Sequence, residues 1–171
     1  MISIRSLPRQ PARNRDEPLD GGQVVDLLTR SVFEPYAQSM LAKLNGGAAP
    51  SFATVVLPDH GEGRTFDFPN QGIRVQVWEG KISSVSFYGD EARSVLEAST
   101  SSKWSTFRGR LPLGLSWDDT RWIVRSHLGQ ARPISNAEGR EEGDGFFVGK
   151  LMYMVRYSTT RKLTEVNVLV P

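Results

Sequence analysis

The stretch Leu111–Gly129, LPLGLSWDDTRWIVRSHLG, carries the clearest helix signal in the chain, and both of its ends are marked. Ser116 suits an N-cap, because a hydroxyl there accepts from an amide that otherwise lacks a partner. Asp118 and Asp119 put negative charge in the first turn, where the helix dipole favours it. Thr120, Ile123 with Val124, and His127 with Leu128 recur at helical spacing, which predicts one buried stripe with His127 packed in it. Arg121 and Arg125, one turn apart, fall on the opposite side. Gly129 suits the left-handed residue that closes a helix, and Pro133 keeps the chain from resuming it.

At 171 residues the chain fits one domain of ordinary size or two small fused halves, and it can bury a self-sufficient core. Its 39% hydrophobic and 23% charged content is the balance of a soluble globular protein rather than of a membrane or disordered chain. There is no cysteine, so disulfides and thiolate metal sites are excluded. Residues 1–18, MISIRSLPRQPARNRDEP, hold no apolar run suited to a signal peptide, and no later run approaches a membrane span. A cytoplasmic protein is expected. The net charge is +2, of which +1 comes from residues 1–20 (four arginines against three acidic residues). No basic face dominates, so nucleic acid is not an expected partner.

Residues 1–20 read as a polar, proline-punctuated tail. Residues 22–44 turn helical, with Pro35 splitting the helix near Phe33 and Asn45-Gly46-Gly47 ending it. Residues 51–57 are rich in β-formers, and residues 58–64 read as a polar loop. Residues 72–78 (GIRVQVW) and 81–88 (KISSVSFY), joined by Glu79-Gly80, form the most regular hairpin signal. Residues 91–98 suggest a short helix. After the central helix, residues 132–136 suggest a strand and residues 137–145 (AEGREEGDG) an acidic loop. Residues 146–157 and 162–170 then predict a second, longer hairpin.

The returning strands of the two hairpins echo each other. Lys81-Ile-Ser-Ser-Val-Ser-Phe87 and Lys162-Leu-Thr-Glu-Val-Asn-Val168 share lysine, aliphatic, hydroxyl, any residue, valine, polar, apolar. Each hairpin follows a helical segment. The pattern points to an α+β protein of two tandem helix-plus-antiparallel-sheet units, residues 21–110 and 111–171, whose sheets are free to merge into one curved surface. An antiparallel sheet with one face covered leaves the other available to a partner.

No catalytic constellation stands out. There is no GxSxG elbow, and neither Gly61-Glu-Gly63 nor Gly143-Asp-Gly145 opens a helix after a strand, so no phosphate cradle is implied. Asp59, His60 and Glu62 adjoin in one loop, but adjacent loop ligands without a second anchored histidine do not define a metal site. No cofactor and no metal are expected. The candidates for partner contact are loop residues: His60, Glu62 and Arg64; then Asp90, Trp104 and Arg108; then Glu138, Glu141, Glu142 and Asp144. Trp104 and Arg108 are anchor types, tryptophan and arginine being enriched at hot spots, although core packing accounts for a tryptophan as well. The carboxylates would steer a basic partner.

The order PNQGIRVQVWEGKISSVSFYG, then Phe107-Arg-Gly-Arg-Leu-Pro-Leu-Gly-Leu, then residues 116–129 resembles bacterial immunity-type proteins of polymorphic toxin systems. The resemblance covers roughly residues 66–133. It implies a cytoplasmic protein that binds and neutralises a cognate toxin, with no catalytic residues of its own. The helix-then-sheet units also look like the fold shared by the β-lactamase inhibitor protein and the BamE outer-membrane lipoproteins. The expected function is therefore occlusion of a toxin's active site, with homo-oligomers allowed. An adaptor or chaperone for a secreted effector is the alternative, and an enzyme with a site in the sheet's concavity is the third.

Overall fold

The structure, a computed structural model, describes residues 18–57, 61–100, 102–136 and 138–171. Asp20 opens the first helix by accepting from Gly22 N at 2.9 Å, giving α1 (Gly21–Val25). Pro35 does split the helical stretch: it occupies the first turn of α2 (Pro35–Leu44), where its missing N–H costs no hydrogen bond. Four strands follow as a meander, β1 (Ala53–Leu57), β2 (Gly61–Phe68), β3 (Ile73–Trp78) and β4 (Lys81–Tyr88). Glu79 (φ 49°) and Gly80 (φ 75°) both take positive φ, which is what a two-residue hairpin turn requires. Then come α3 (Asp90–Thr100), α4 (Arg121–Leu128) and a second meander, β5 (Arg132–Ser135), β6 (Glu141–Val148), β7 (Leu151–Tyr157) and β8 (Leu163–Leu169).

All eight strands form a single antiparallel sheet in the order β1-β2-β3-β4-β8-β7-β6-β5. The chain is thus α+β, as its sequence suggests, but its two halves are not separate units. They share one sheet through the β4–β8 ladder, where Val85 pairs with Val168, Ser86 with Asn167 and Phe87 with Val166. The core lies on the face shared by Val75, Val85, Phe87, Val155, Val166 and Val168, and α1, α2 and α4 feed Val24, Leu41 and Val124 into the same cluster. On the opposite face Tyr88 meets the ring of Trp104 edge-on at 5.4 Å, which seats the segment after α3. No helix among the described residues is long and apolar enough to cross a membrane.

The entry to the last strand is built the same way in both halves. Ile82 N donates to Arg30 O at 2.9 Å and Leu163 N to Asp119 O at 3.0 Å. Val32 N donates to Gly80 O at 2.9 Å and Arg121 N to Arg161 O at 3.1 Å, and both Gly80 and Arg161 have positive φ. Isolated bridges join Ser31 to Lys81 and Thr120 to Lys162.

That bridge corrects the reading of the central helix. Residues 119–120 are held extended against the start of β8, so the helix begins at Arg121, with Thr120 rather than Ser116 at its N-cap. Ser116 instead stabilises the preceding turn, its Oγ accepting from Asp118 N and its own N–H donating to Asp119. The late start rotates the buried stripe: Val124 is fully buried, Arg121 faces inward, and Ile123 and His127 are exposed. Two expected loops also prove largely strand. Residues 61–64 open β2 and residues 141–145 open β6, because Phe66 and Phe146 alternate into the core and draw the flanking polar residues into register. The expected long strand 146–157 is two strands, β6 and β7, turned at Gly149 (φ 62°).

Phe87 sits at the seam of the halves, fully buried and 4.9 Å from the Phe107 ring. Phe87→Ala should cost about 3–5 kcal/mol. Urea unfolding followed by circular dichroism and by tryptophan fluorescence should give one coincident transition, since one core serves both halves.

Candidate partner-binding site

Arg121 and Arg125 lie one turn apart on α4, which puts both guanidiniums over the same point of the sheet. That point is Asp144 on β6. It pairs with Val155, in the place where Phe66 pairs with Val75 in the first half, each valine one residue short of a β-bulge. Asp144 is fully buried and is gripped by both arginines in bidentate fashion. Arg121 donates from Nε at 3.0 Å and Nη2 at 2.7 Å; Arg125 donates from Nε at 2.9 Å and Nη2 at 2.7 Å. Glu141 adds an ion pair to Arg121 at 2.9 Å, and the Arg121 guanidinium stands 5.6 Å from the Tyr157 ring centre. The backbone of β6 must approach β7 closely here, and a Cβ on Gly143 would stand 2.1 Å from Val155 O.

Burial by itself would raise the Asp144 carboxyl, but the hydrogen bonds and charges of Arg121 and Arg125 outweigh it and bring its pKa down to about 2. Hydrogen bonding to Asp144 pushes Arg121 further up, and burial beside Asp144 pushes the Tyr157 hydroxyl well above the ordinary tyrosine range. Asp144, Arg121 and Arg125 are therefore ionised at neutral pH, and the tyrosine beside them is neutral. The cluster works as a clamp that fixes the seat of α4.

The clamp closes the floor of a groove of about 710 Å³ between α4, the start of β6 and the β7–β8 turn. Its rim carries Trp122, 76% exposed, with Arg125, Arg161, Ser158 and Glu142 around it. Trp122 points outward because α4 turns Arg121, Val124 and Arg125 inward. In the sequence Trp122 already falls off the most apolar stripe of the helix, and the structure leaves it on the solvent side.

The residues expected at a partner contact scatter. Trp104 is 2% exposed: its Nε1 donates to Thr100 Oγ1 at 3.0 Å and its N–H to Glu97 at 2.8 Å. It therefore fastens α3 to the sheet and does not present itself to a partner. Asp144 is likewise interior and serves the clamp, not steering. Asp90 is exposed and bonded to Thr106 and Arg93, and Arg108 is exposed nearby. Arg64 is exposed at the far end, 4.6 Å from the Phe52 ring centre. Glu138, Glu141 and Glu142 are exposed near one another, Glu142 accepting from Asn136 at 2.9 Å. His60 and the side chain of Glu62 lie outside the described residues. Of the expected residues that are described, only Glu141 and Glu142 line the groove.

No protein-family model matches the sequence, and no curated protein matches it significantly. Among solved structures, the chain is similar to an extracellular protein containing an SCP domain from Bacillus anthracis, with a TM-score of 0.51 and 13% identity over 97% of this chain and 50% of that one. It is also similar to a cysteine-rich secretory protein from Staphylococcus aureus, with a TM-score of 0.48 and 12% identity over 90% and 46%. The chain spans about half the length of the solved structures it matches. At these identities the likeness to the Bacillus anthracis protein concerns the fold alone.

Asp144→Ala should destabilise the fold by about 2–3 kcal/mol, below the ~3–5 of a fully buried pair because both arginines reach solvent. Because the folded-state pKa of Asp144 is depressed, its contribution is complete above the ordinary value of 3.8 and is lost as pH falls through about 2. Urea titrations of wild type and Asp144→Ala should therefore converge toward pH 2.

Proposed function

We propose that this chain is a stoichiometric inhibitor of the immunity type, which binds a cognate bacterial toxin and covers its active site, with Trp122 as the principal anchor. The observation that carries this reading is Trp122 itself, 76% exposed on a helix whose seat the Asp144 clamp holds. Tryptophan is the leading hot-spot residue at protein interfaces, and an anchor held on a rigid element loses little conformational entropy on binding. The mixed rim of Arg161 and Glu142 would orient the partner more than it would hold it. This reading places the protein in the cytoplasm of the cell that makes the toxin.

The resemblance to the β-lactamase inhibitor protein and BamE fold belongs with this proposal. The matched strand entries, the paired positive-φ residues and a β4–β8 ladder centred on Ser86 and Asn167 all favour a tandem duplication of one helix-plus-four-strand unit. Ser86 and Asn167 are themselves equivalent positions in the Lys81–Phe87 and Lys162–Val168 echo.

Co-expression with the product of the neighbouring gene tests the function. A 1:1 complex that restores growth is expected, and absence of both complex and rescue removes the proposal. A complex that leaves the toxin active would favour the adaptor reading instead. Trp122→Ala should weaken the complex about 30-fold, a hot-spot loss of roughly 2 kcal/mol. Its Tm should stay at the wild-type value, because the ring buries little in the free protein.

A further inference from the structure

A second cleft, of about 640 Å³, lies between α3 and the sheet and shares Glu141, Glu142, Tyr157 and Ser158 with the groove beside Trp122. Its deepest charge is Glu165 on β8, set between Tyr88 of β4 and Arg156 of β7 in the ladder. The Glu165 side chain is only 16% exposed, and Arg156 stands 3.6 Å away, an ion pair too long for a hydrogen bond. The other guanidinium in the lining, Arg74, is committed elsewhere. It holds Asp67 in bidentate fashion at 2.6 and 2.9 Å.

Burial pushes the Glu165 carboxyl above the ordinary range, and the charges of Arg156 and Arg74 only partly offset this. A carboxylate kept in such a place is short of a close cationic partner. The walls deepen the deficit. Glu141 is taken up by Arg121, which leaves Glu91, Glu142 and Glu165 facing Arg156. Along the α3 side, Ala92, Val95 and Leu96 make an aliphatic strip leading in from solvent, with Val95 72% exposed. A charged floor reached along an apolar wall matches a side chain that has a methylene stem and a cationic head.

We infer that the cleft beneath α3 receives an arginine or lysine side chain from a protein partner, its head on Glu165 and its stem against Val95 and Leu96. From the proposed function this takes only that the ligand is part of a protein. The partner then engages two adjoining sites, the tryptophan of this chain reaching out and a basic side chain of the partner reaching in.

The test uses the full chain and no toxin, so its failure is separate from failure of the co-expression experiment. Amide resonances are followed by NMR during titration with N-acetyl-leucyl-arginine amide, with its neutral citrulline counterpart, and with spermidine. Saturable shifts at residues 91–96, 156–158 and 164–165 with the arginine peptide alone are expected. Glu165→Gln should weaken them at least tenfold, and its Tm should equal or exceed that of wild type, since an under-paired buried charge is removed. The exposed double variant Glu91→Gln/Glu142→Gln should weaken binding two- to fivefold and serves if Glu165→Gln fails to fold. Equal shifts with citrulline, undiminished binding in the variants, or tighter saturation by spermidine than by the peptide would overturn the inference.

Discussion

The pairing of β4 with β8 is the constraint on which the molecule rests. Each half alone is a four-stranded meander with a few helical turns on one face, too thin to exclude water from that face at the seam. Joined through Val85–Val168 and Phe87–Val166, the two meanders present one continuous apolar surface, and Phe87, Val155, Val166 and Val168 become fully buried. The ladder is self-complementary about Ser86 and Asn167, in the way that an isologous dimer interface is self-complementary about its axis. Tethering both halves in one chain removes the concentration dependence that such an interface has between separate molecules.

Within this near-symmetric frame, one buried position carries a charge in one half and not in the other. The first half fills it with Phe66; the second places Asp144 there and turns two arginines of α4 onto it. A buried ion cluster is a poor source of stability compared with a well-packed side chain of similar volume, because each charge gives up its hydration. What it supplies is direction. Four charge-assisted hydrogen bonds with bidentate geometry define the rotation of α4 about its axis, whereas aliphatic contacts tolerate rotation. With Arg121, Val124 and Arg125 turned inward, Trp122 has only the solvent side left. The exposed tryptophan is thus a consequence of the buried aspartate.

Much of the architecture was legible where local chemistry and tertiary packing agree. Pro35 divided the first helical stretch, Glu79-Gly80 marked a hairpin, and the Lys81 and Lys162 strands shared an alternation that goes with matching strand entries. Reading failed where long-range contacts override a local signal. Ser116, Asp118 and Asp119 form a convincing helix start, yet pairing of residues 119–120 with the start of β8 delays the helix and rotates its face. The acidic Glu141–Gly145 run looks like a loop because its glycines are turn-formers, although here they allow close approach of β7. By residue type and neighbourhood Trp104 and Asp144 read as surface groups. Both are interior, held by partners distant in sequence: Tyr88 for the one, Arg121 and Arg125 for the other. Glu165, in a strand that looks ordinary, carried no local sign of the cleft above it.

The central claim is that a clamped α4 presents the binding surface. Hydrogen–deuterium exchange of the purified complex against the free chain tests it most directly. The account requires new protection at residues 120–126, 141–142 and 158–161, with the β1–β2 edge unchanged. Protection confined to β1 and β2, with α4 exchanging as it does in the free chain, would contradict it.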